Sequence, residues 1–303
     1  MRQGRGYYPY LNMFKCNVCD YDKRPEYLYK IDRFDDLFHI VKCPRCRLIY
    51  QHPQLEQNHY DEGYYKGKNT YSYVDEREDM VIRDIENDRR VQNIKKFLDT
   101  GERRPDLLDI GCSFGALTRS AIRNGFNALG VDTSPYISTL RKNDPIFQSR
   151  DIEHGPIGQF DAITMVETVE HLTNPRVTLL HCHQSLRKDG MLVLQTTNMD
   201  STVRKQEGIN SGYILPGHTY YFSVRTITKL LKRTGFKVEK IYYGHETGLV
   251  TALIRKMLTN LKRHKFNDWQ CFAYTLCTHI LSKLHLGHLA VHNGMVVYAR
   301  RVD

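Results

Sequence analysis

Residues 106–132 read DLLDIGCSFGALTRSAIRNGFNALGVD, and this stretch decides the fold. An apolar run over 106–110 ends in a turn with two glycines, a helical segment follows over 116–124, and a second apolar run leads to Asp132. Gly111 lets the chain turn sharply after the first strand, and Gly115 lets the backbone approach closely at the helix start. A strand, a glycine turn and a helix in this order predict a parallel sheet.

The same strand-then-helix unit recurs along the chain. Strands are predicted at 128–131, 162–166 and 191–195, and helices at 135–142 and 177–187. A helix ending at 230–234 is stopped by Gly235, the strand 237–243 follows, and a last strand is predicted at 295–300. A charged amphipathic helix at 76–99 leads into this region. We therefore predict an α/β fold with a mainly parallel sheet and helices on both faces.

An acidic residue accompanies the glycine turn. Asp132 ends the second apolar run about 20 residues after Gly111, where a carboxylate accepts hydrogen bonds from ribose hydroxyls in nucleotide-binding folds. The turn D-x-G-x-S-x-G has Ser113 in place of the middle glycine of the dinucleotide fingerprint, so a pyrophosphate ligand is not indicated. Alternatively, Asp132 caps the helix that starts near Ser134.

Four cysteines form two pairs near the start. Cys16 and Cys19, then Cys43 and Cys46, are C-x2-C pairs separated by 23 residues, which is the spacing of a zinc ribbon. Alternating residues at 27–31 and 38–42 predict short strands beside these turns. The pairs therefore predict a tetrahedral Zn(II) site, with buried thiols or disulfides as the alternative. The cysteines elsewhere in the chain show no such pairing.

Composition limits the remaining choices. The 303 residues are 41% hydrophobic and 26% charged, which argues against disorder. No apolar run approaches the roughly 18 residues of a spanning helix, and MRQGRGYYPYLNMF lacks the apolar segment of a secretory signal. We therefore expect a soluble, cytoplasmic protein.

Residues 201–303 carry 16 Lys and Arg against 5 Asp and Glu. This excess of positive charge favours contact with phosphate, anionic lipid or nucleic acid, or reflects solvated helix faces.

The motifs resemble those of class I S-adenosylmethionine-dependent methyltransferases. LLDIGCSFGALT at 107–118 is similar to their first motif, ALGVDTS at 128–134 to their second, and EHLTNP at 170–175 follows the fourth strand. The resemblance implies a Rossmann-like sheet of seven strands, with the last, at 295–300, antiparallel. It also implies that S-adenosylmethionine is bound by Asp109, Gly111, Ser113, Gly115, Asp132 and Asp151.

The segment before this core contains the predicted ribbon, residues 49–53 and a Tyr-rich stretch at 60–73. This segment resembles that of bacterial sugar methyltransferases of polysaccharide and deoxysugar pathways. Their carbon-methylating members carry E-H-x-x-Y-F-S with the histidine as base. This chain has GHTYYFS at 217–223, so His218 matches but Gly217 replaces the glutamate. The resemblance implies His218 as the catalytic base. His171 is a second candidate because it lies just past the fourth strand, where the methyl group of the cofactor should point. The alternative for each histidine is a structural role. The predicted layout is a zinc ribbon at 1–60, a linker and lead-in helix at 61–105, and a core at 106–303.

Three functions remain open: methylation of a small-molecule or lipid-linked sugar or of a secondary metabolite, methylation of RNA through the basic C-terminal third, and non-catalytic binding through the ribbon.

A helical insertion at 245–290 has apolar faces over 249–284, which form an interfacial membrane contact, a packed lid or a dimer contact. Four tyrosines either line the acceptor pocket or pack in the core: Tyr64, Tyr65, Tyr220 and Tyr221. The oligomeric state is not predicted.

Overall fold

The computed structural model describes residues 15–32, 38–54, 60–68, 80–244, 246 and 294–303. The predicted helices of the 245–290 insertion lie outside these ranges. In chain order the strands and helices are β1 Glu26–Ile31, β2 Phe38–Lys42, β3 Ile49–His52, α1 Glu62–Tyr65, α2 Met80–Lys95, β4 Asp106–Ile110, α3 Ala116–Arg123, β5 Asn127–Asp132, α4 Pro135–Leu140, β6 Phe147–Ser149, β7 Phe160–Val166, α5 Pro175–Ser185, β8 Leu186–Thr197, α6 Thr202–Glu207, β9 Tyr220–Tyr221, α7 Val224–Arg233, β10 Phe236–Tyr243 and β11 Gly294–Arg301.

Seven strands form the main sheet, in the order β10-β11-β8-β7-β4-β5-β6. The pairs from β8 to β6 are parallel, whereas β11 runs antiparallel to both β8 and β10. The predicted mainly parallel sheet with an antiparallel last strand is therefore confirmed. Leu107, Leu108, Ala162 and Ile163 on its two central strands are fully buried, as expected for strands covered on both faces.

Local signals explain where the helices begin. Ser134 caps α4 ahead of Pro135, and Asn174 caps α5 ahead of Pro175, because a side-chain oxygen accepts an otherwise unpaired N–H and proline fits the first helical position. The helix predicted at 177–187 ends at Ser185, since Leu186 already has extended backbone and pairs with Phe160 at the start of β8.

The ribbon forms a second, antiparallel sheet of order β1-β2-β3-β9. Its fourth strand comes from the core: Ile49 pairs with Tyr221 and Tyr50 with Tyr220. One buried apolar cluster continues from the ribbon cysteines through Leu48 and Tyr50 to Phe222 and the main sheet. The ribbon therefore packs directly against the core, and the boundary at residue 60 stays a prediction.

Within the described ranges, the structure has no helix long and apolar enough to cross a membrane.

Candidate active site and metal centre

The glycine turn joins β4 to α3 at the carboxyl edge of the main sheet. Gly111 has φ +71° and Gly115 has φ +79°, a backbone region that glycine enters without steric cost. A Cβ atom on Gly111 would collide with the Thr168 side chain, and one on Gly115 would lie 2.7 Å from the Arg141 guanidinium. Both positions therefore combine a left-handed backbone with close packing, which only glycine satisfies.

Asp109 points into the protein beneath this turn and is 3% exposed. Thr118 Oγ1 donates to Asp109 Oδ2 at 3.0 Å, and Thr164 Oγ1 donates to Oδ1 at 2.8 Å. Burial raises the pKa of Asp109 to about 6, although the two hydroxyls lower it in part. Asp109 therefore links the end of β4 to α3 and to β7.

Asp132 ends β5 and braces the turn from the neighbouring strand. Its carboxylate accepts from the backbone N–H of Ser113 at 2.9 Å and of Ser134 at 2.8 Å. Burial raises the pKa of Asp132, and these backbone donors lower it in part. Asp151 follows β6 and accepts from the Glu153 N–H at 2.8 Å.

The residues predicted to bind S-adenosylmethionine thus gather after β4, β5 and β6, whose carboxyl ends share one edge of the sheet. A turn without side chains at Gly111 and Gly115 gives close backbone access, and the Asp132 and Asp151 carboxylates are acceptors suited to a nucleoside. The donor set therefore fits this cofactor, and its individual contacts stay predictions.

Aromatic side chains connect the glycine turn with the predicted bases. The Tyr65 ring lies 5.6 Å from Phe114 in the turn and stacks on Tyr136 at 5.7 Å, measured between centroids. The Tyr60 ring lies 6.0 Å from the His171 ring. Tyr60 and Tyr65 therefore lie close to His171 and to the glycine turn, respectively.

The other two tyrosines have a packing role. Tyr220 and Tyr221 are buried at the junction of ribbon and core. Asn17 and Gln54 each donate to Tyr220 Oη at 2.8 Å, and Tyr220 Oη donates to the Thr173 carbonyl at 3.1 Å. This hydroxyl therefore holds the ribbon to the loop after β7.

His171 and His218 lie together, with ring centroids 4.6 Å apart and planes at 80°. His171 Nδ1 lies 2.8 Å from the Gly217 carbonyl, and His218 Nδ1 lies 2.8 Å from the Tyr213 carbonyl. Because a carbonyl oxygen only accepts, each Nδ1 carries a proton, and in the neutral ring the lone pair lies on Nε2. Each histidine, when neutral, is therefore held in the tautomer whose basic nitrogen is Nε2.

Glu170 completes this cluster, and the motif analysis did not single it out. Its side chain is fully buried, and neither carboxyl oxygen has a hydrogen-bond partner among the residues that the structure describes. One donor atom each from Glu170, His171 and His218 lie within 4.8 Å of one another. Burial, and next the charge of Glu167, raise the pKa of Glu170 well above its usual range.

Glu170 also bears on the motif difference at Gly217, where the related enzymes have a glutamate before the histidine. The carboxylate beside His218 comes from the loop after β7 instead of the preceding residue. The one available sequence signal was its position directly before His171, in the loop that follows β7.

The predicted metal ligands converge in the ribbon. Cys16, Cys19, Cys43 and Cys46 are buried, and their sulfurs lie within 4.8 Å of one another. The Sγ–Sγ distances are 3.5 Å for Cys16–Cys46 and for Cys19–Cys43. Tetrahedral Zn–S bonds of about 2.3 Å place sulfurs about 3.8 Å apart, so the four thiols fit a zinc ion.

Comparisons with known proteins agree with this architecture. The model of a family described as "Methyltransferase domain" matches residues 83–241. The ubiquinone biosynthesis O-methyltransferase of Xanthomonas oryzae pv. oryzae is 26% identical over 146 residues, covering 44% of this chain and 60% of that protein. The mitochondrial enzyme of the same name from Schizosaccharomyces pombe is 34% identical over 101 residues, covering 30% and 37%. The alignments thus span less than two thirds of these curated relatives.

Among solved structures, a chain from the complex between the Haloferax volcanii Trm112 methyltransferase activator and the putative methyltransferase aligns with a TM-score of 0.53. It is 12% identical, and the alignment covers 82% of this chain and 100% of that chain. This likeness supports the fold alone.

Proposed function

We propose, because this chain belongs to the methyltransferase-domain family, that it transfers a methyl group from S-adenosylmethionine to a hydroxyl oxygen of a sugar or another small molecule. The observation that carries the proposal is the pair of adjacent imidazoles, His171 in the loop after β7 and His218 before β9, each with Nδ1 held by a carbonyl. Curated relatives are named O-methyltransferases, which supports oxygen as the acceptor atom.

The cofactor supplies an electrophilic methyl group on a sulfonium, so the protein has to align the acceptor and remove one proton from it. The Asp109–Gly115 turn and Asp132 would hold the cofactor, and the Tyr60 and Tyr65 rings lie close to His171 and to Phe114 of the turn, respectively. His218 Nε2 takes the proton from the acceptor hydroxyl as the new O–CH3 bond forms. The sulfur of the cofactor would keep the electrons of the broken C–S bond.

Glu170 supports this proton transfer. Its raised pKa means that it binds a proton more readily than an ordinary glutamate. Its carboxyl group lies within 4.8 Å of His218, close enough for its ionised form to stabilise the imidazolium. His171 lies against His218 and keeps its ring in place.

The ribbon has a structural role in this proposal. A zinc ion bound by the four cysteines would brace the turns that flank the ribbon strands, and β3 of that sheet pairs with β9 just after His218.

The test is incubation with methyl-labelled S-adenosylmethionine and three pools side by side: nucleotide sugars, lipid-linked oligosaccharides and undermodified total RNA. Label in a sugar pool supports the proposal, and label only in RNA contradicts the acceptor class. Absence of label together with millimolar or absent adenosylhomocysteine affinity would favour the non-catalytic binding module.

The base is tested in the same assay with His218→Ala, and His183→Ala is the matched control because His183 contacts the chain end at Val302 instead of the cluster. Each protein is measured with and without a chelator, since two imidazoles and a carboxylate also suit a divalent ion. Full turnover by His218→Ala removes it from the mechanism.

A further inference from the structure

Arg204 lies at the same edge of the sheet as the predicted bases. It belongs to α6, which follows the carboxyl end of β8, the strand beside β7. The side chain is 1% exposed, and its guanidinium stacks on the Tyr213 ring, with Cζ 3.5 Å from the centroid. The position of this cation is therefore fixed by packing.

Among the described residues, only Nη1 of the guanidinium finds hydrogen-bond acceptors. Nη1 donates to Glu207 Oε2 at 3.0 Å and to Ser211 Oγ. Nε and Nη2 are both buried and have no acceptor in the part of the chain that the structure describes. Buried charged donors without partners are costly, and folded proteins rarely leave them so. Two such atoms on one side chain call for a partner that the described residues do not supply.

The geometry of the two atoms specifies that partner. Nε and Nη2 form one edge of the planar guanidinium and donate two parallel hydrogen bonds. This fork matches two oxygens of a carboxylate or phosphate. A neutral hydroxyl would pair with only one of them.

The fork lies close to the proposed base. The Tyr213 ring that stacks on Arg204 is 6.4 Å from the His218 ring, and the Tyr213 carbonyl accepts from His218 Nδ1. Glu167, whose charge acts on Glu170, also acts electrostatically on Arg204. An anion on the fork would therefore belong to the molecule whose hydroxyl meets His218.

We propose that Nε and Nη2 of Arg204 bind two oxygens of an anionic group on the methyl acceptor, so that the substrate is a sugar or small molecule bearing a carboxylate or a phosphate. This inference rests on the proposed function, because it takes the His218 cluster as the acceptor site. It makes Arg204 a specificity-determining residue.

The test compares three ligands that differ in one group: glucose, glucuronate and glucose 1-phosphate. Calorimetric titration of the full chain measures each dissociation constant with adenosylhomocysteine bound and without it. We expect one of the two anions to bind about tenfold tighter than glucose, as two charge-assisted hydrogen bonds allow. Which anion is preferred distinguishes carboxylate from phosphate.

Three variants assign the preference to Arg204. Arg204→Gln removes the charge, Arg204→Lys keeps the charge without the fork, and Arg103→Gln is the control, because Arg103 pairs with Asp161 near the amino end of β7. We expect the preference to be lost in the first variant, reduced in the second and kept in the control. Circular dichroism verifies folding, and if Arg204→Gln does not fold, Arg204→Lys decides.

Two results overturn the inference: a wild-type protein that prefers neither anion, or a folded Arg204 variant that keeps the full preference. If the wild-type protein does not bind adenosylhomocysteine or does not transfer methyl groups, the proposed function is contradicted instead. Separate titrations with adenosylhomocysteine and with the anions distinguish this result from failure of the anion site.

Discussion

Replacing Asp109 by asparagine should make the protein more stable at neutral pH. Asp109 is the buried carboxyl group under the glycine turn, and its pKa is raised from 3.8 to about 6, mainly by burial. Asparagine has almost the same shape and no charge to desolvate. Its amide can still hydrogen-bond the hydroxyls of Thr118 and Thr164, which act as donor or acceptor.

The magnitude follows from the shift in pKa. A rise in pKa from 3.8 to about 6 corresponds to about 3 kcal/mol of preference for the protonated form in the folded state. One imperfectly replaced hydrogen bond costs about 1 kcal/mol. We therefore expect Asp109→Asn to raise the free energy of unfolding by about 2 kcal/mol at pH 7.

The direction of the pH dependence is fixed by the sign of the shift. Because the folded-state pKa lies above the unfolded one, the folded state binds the extra proton, and stability falls as pH rises from 3.8 to about 6. Below that window the carboxyl group is protonated in both states and the advantage of Asp109→Asn disappears. Above it, the full advantage is present.

Urea unfolding at a series of pH values from 4 to 8 measures the difference between variant and wild type. Asp161→Asn is the matched control: Asp161 is also buried, but hydrogen bonds from Arg103 and the Asp106 N–H lower its pKa. Its contribution to stability is present above its unfolded-state pKa and is lost as pH falls, so Asp161→Asn should destabilise the protein at neutral pH. A pH-independent effect of Asp109→Asn, or destabilisation at pH 7, would refute the reasoning.

Three further predictions concern the base and the ribbon. His218→Ala should lower kcat by about 10²–10⁴-fold while adenosylhomocysteine affinity stays unchanged, and a matching loss of affinity would show that the residue binds cofactor instead. Elemental analysis of protein purified without chelator should find about one zinc per chain, and less than about half would count against the metal site. Tyr220→Phe should lower the free energy of unfolding by about 1–2 kcal/mol, because Asn17 and Gln54 lose the acceptor Oη, and unchanged urea unfolding would exclude that role.

The main strands could be predicted because their signals are local. β4 over Asp106–Ile110 and β7 up to Val166 are apolar runs bounded by turn residues, and such runs predict buried strands. β6 and β9 were not predicted. β6 has three residues, none fully buried, and β9 has two, so neither carries a periodic pattern. Both form because neighbouring backbone offers them hydrogen bonds.

The residues of the candidate site also differ in whether a local sequence signal identifies them. The cysteine pairs and the glycine turn are short motifs whose spacing carries the chemistry, so residues such as Cys16 and Gly111 could be identified directly. Glu170 and Arg204 are ordinary charged residues in the sequence. Their importance depends on buried polar atoms that have no hydrogen-bond partner in the described part of the chain. This arises from packing between distant segments and leaves no local pattern.

The four-cysteine cluster and the proposed base are linked by backbone hydrogen bonds. The Gln51 N–H in β3 donates to the Thr219 carbonyl at 2.8 Å, while the Thr219 and Tyr220 N–H groups donate to the Glu170 carbonyl at 2.9 and 3.0 Å. The peptide after His218 is thus held between a ribbon strand and the residue whose carboxyl group joins the cluster. Because β3 begins just beyond the turn of Cys46, a zinc ion that fixes this turn would also fix the strand that positions His218.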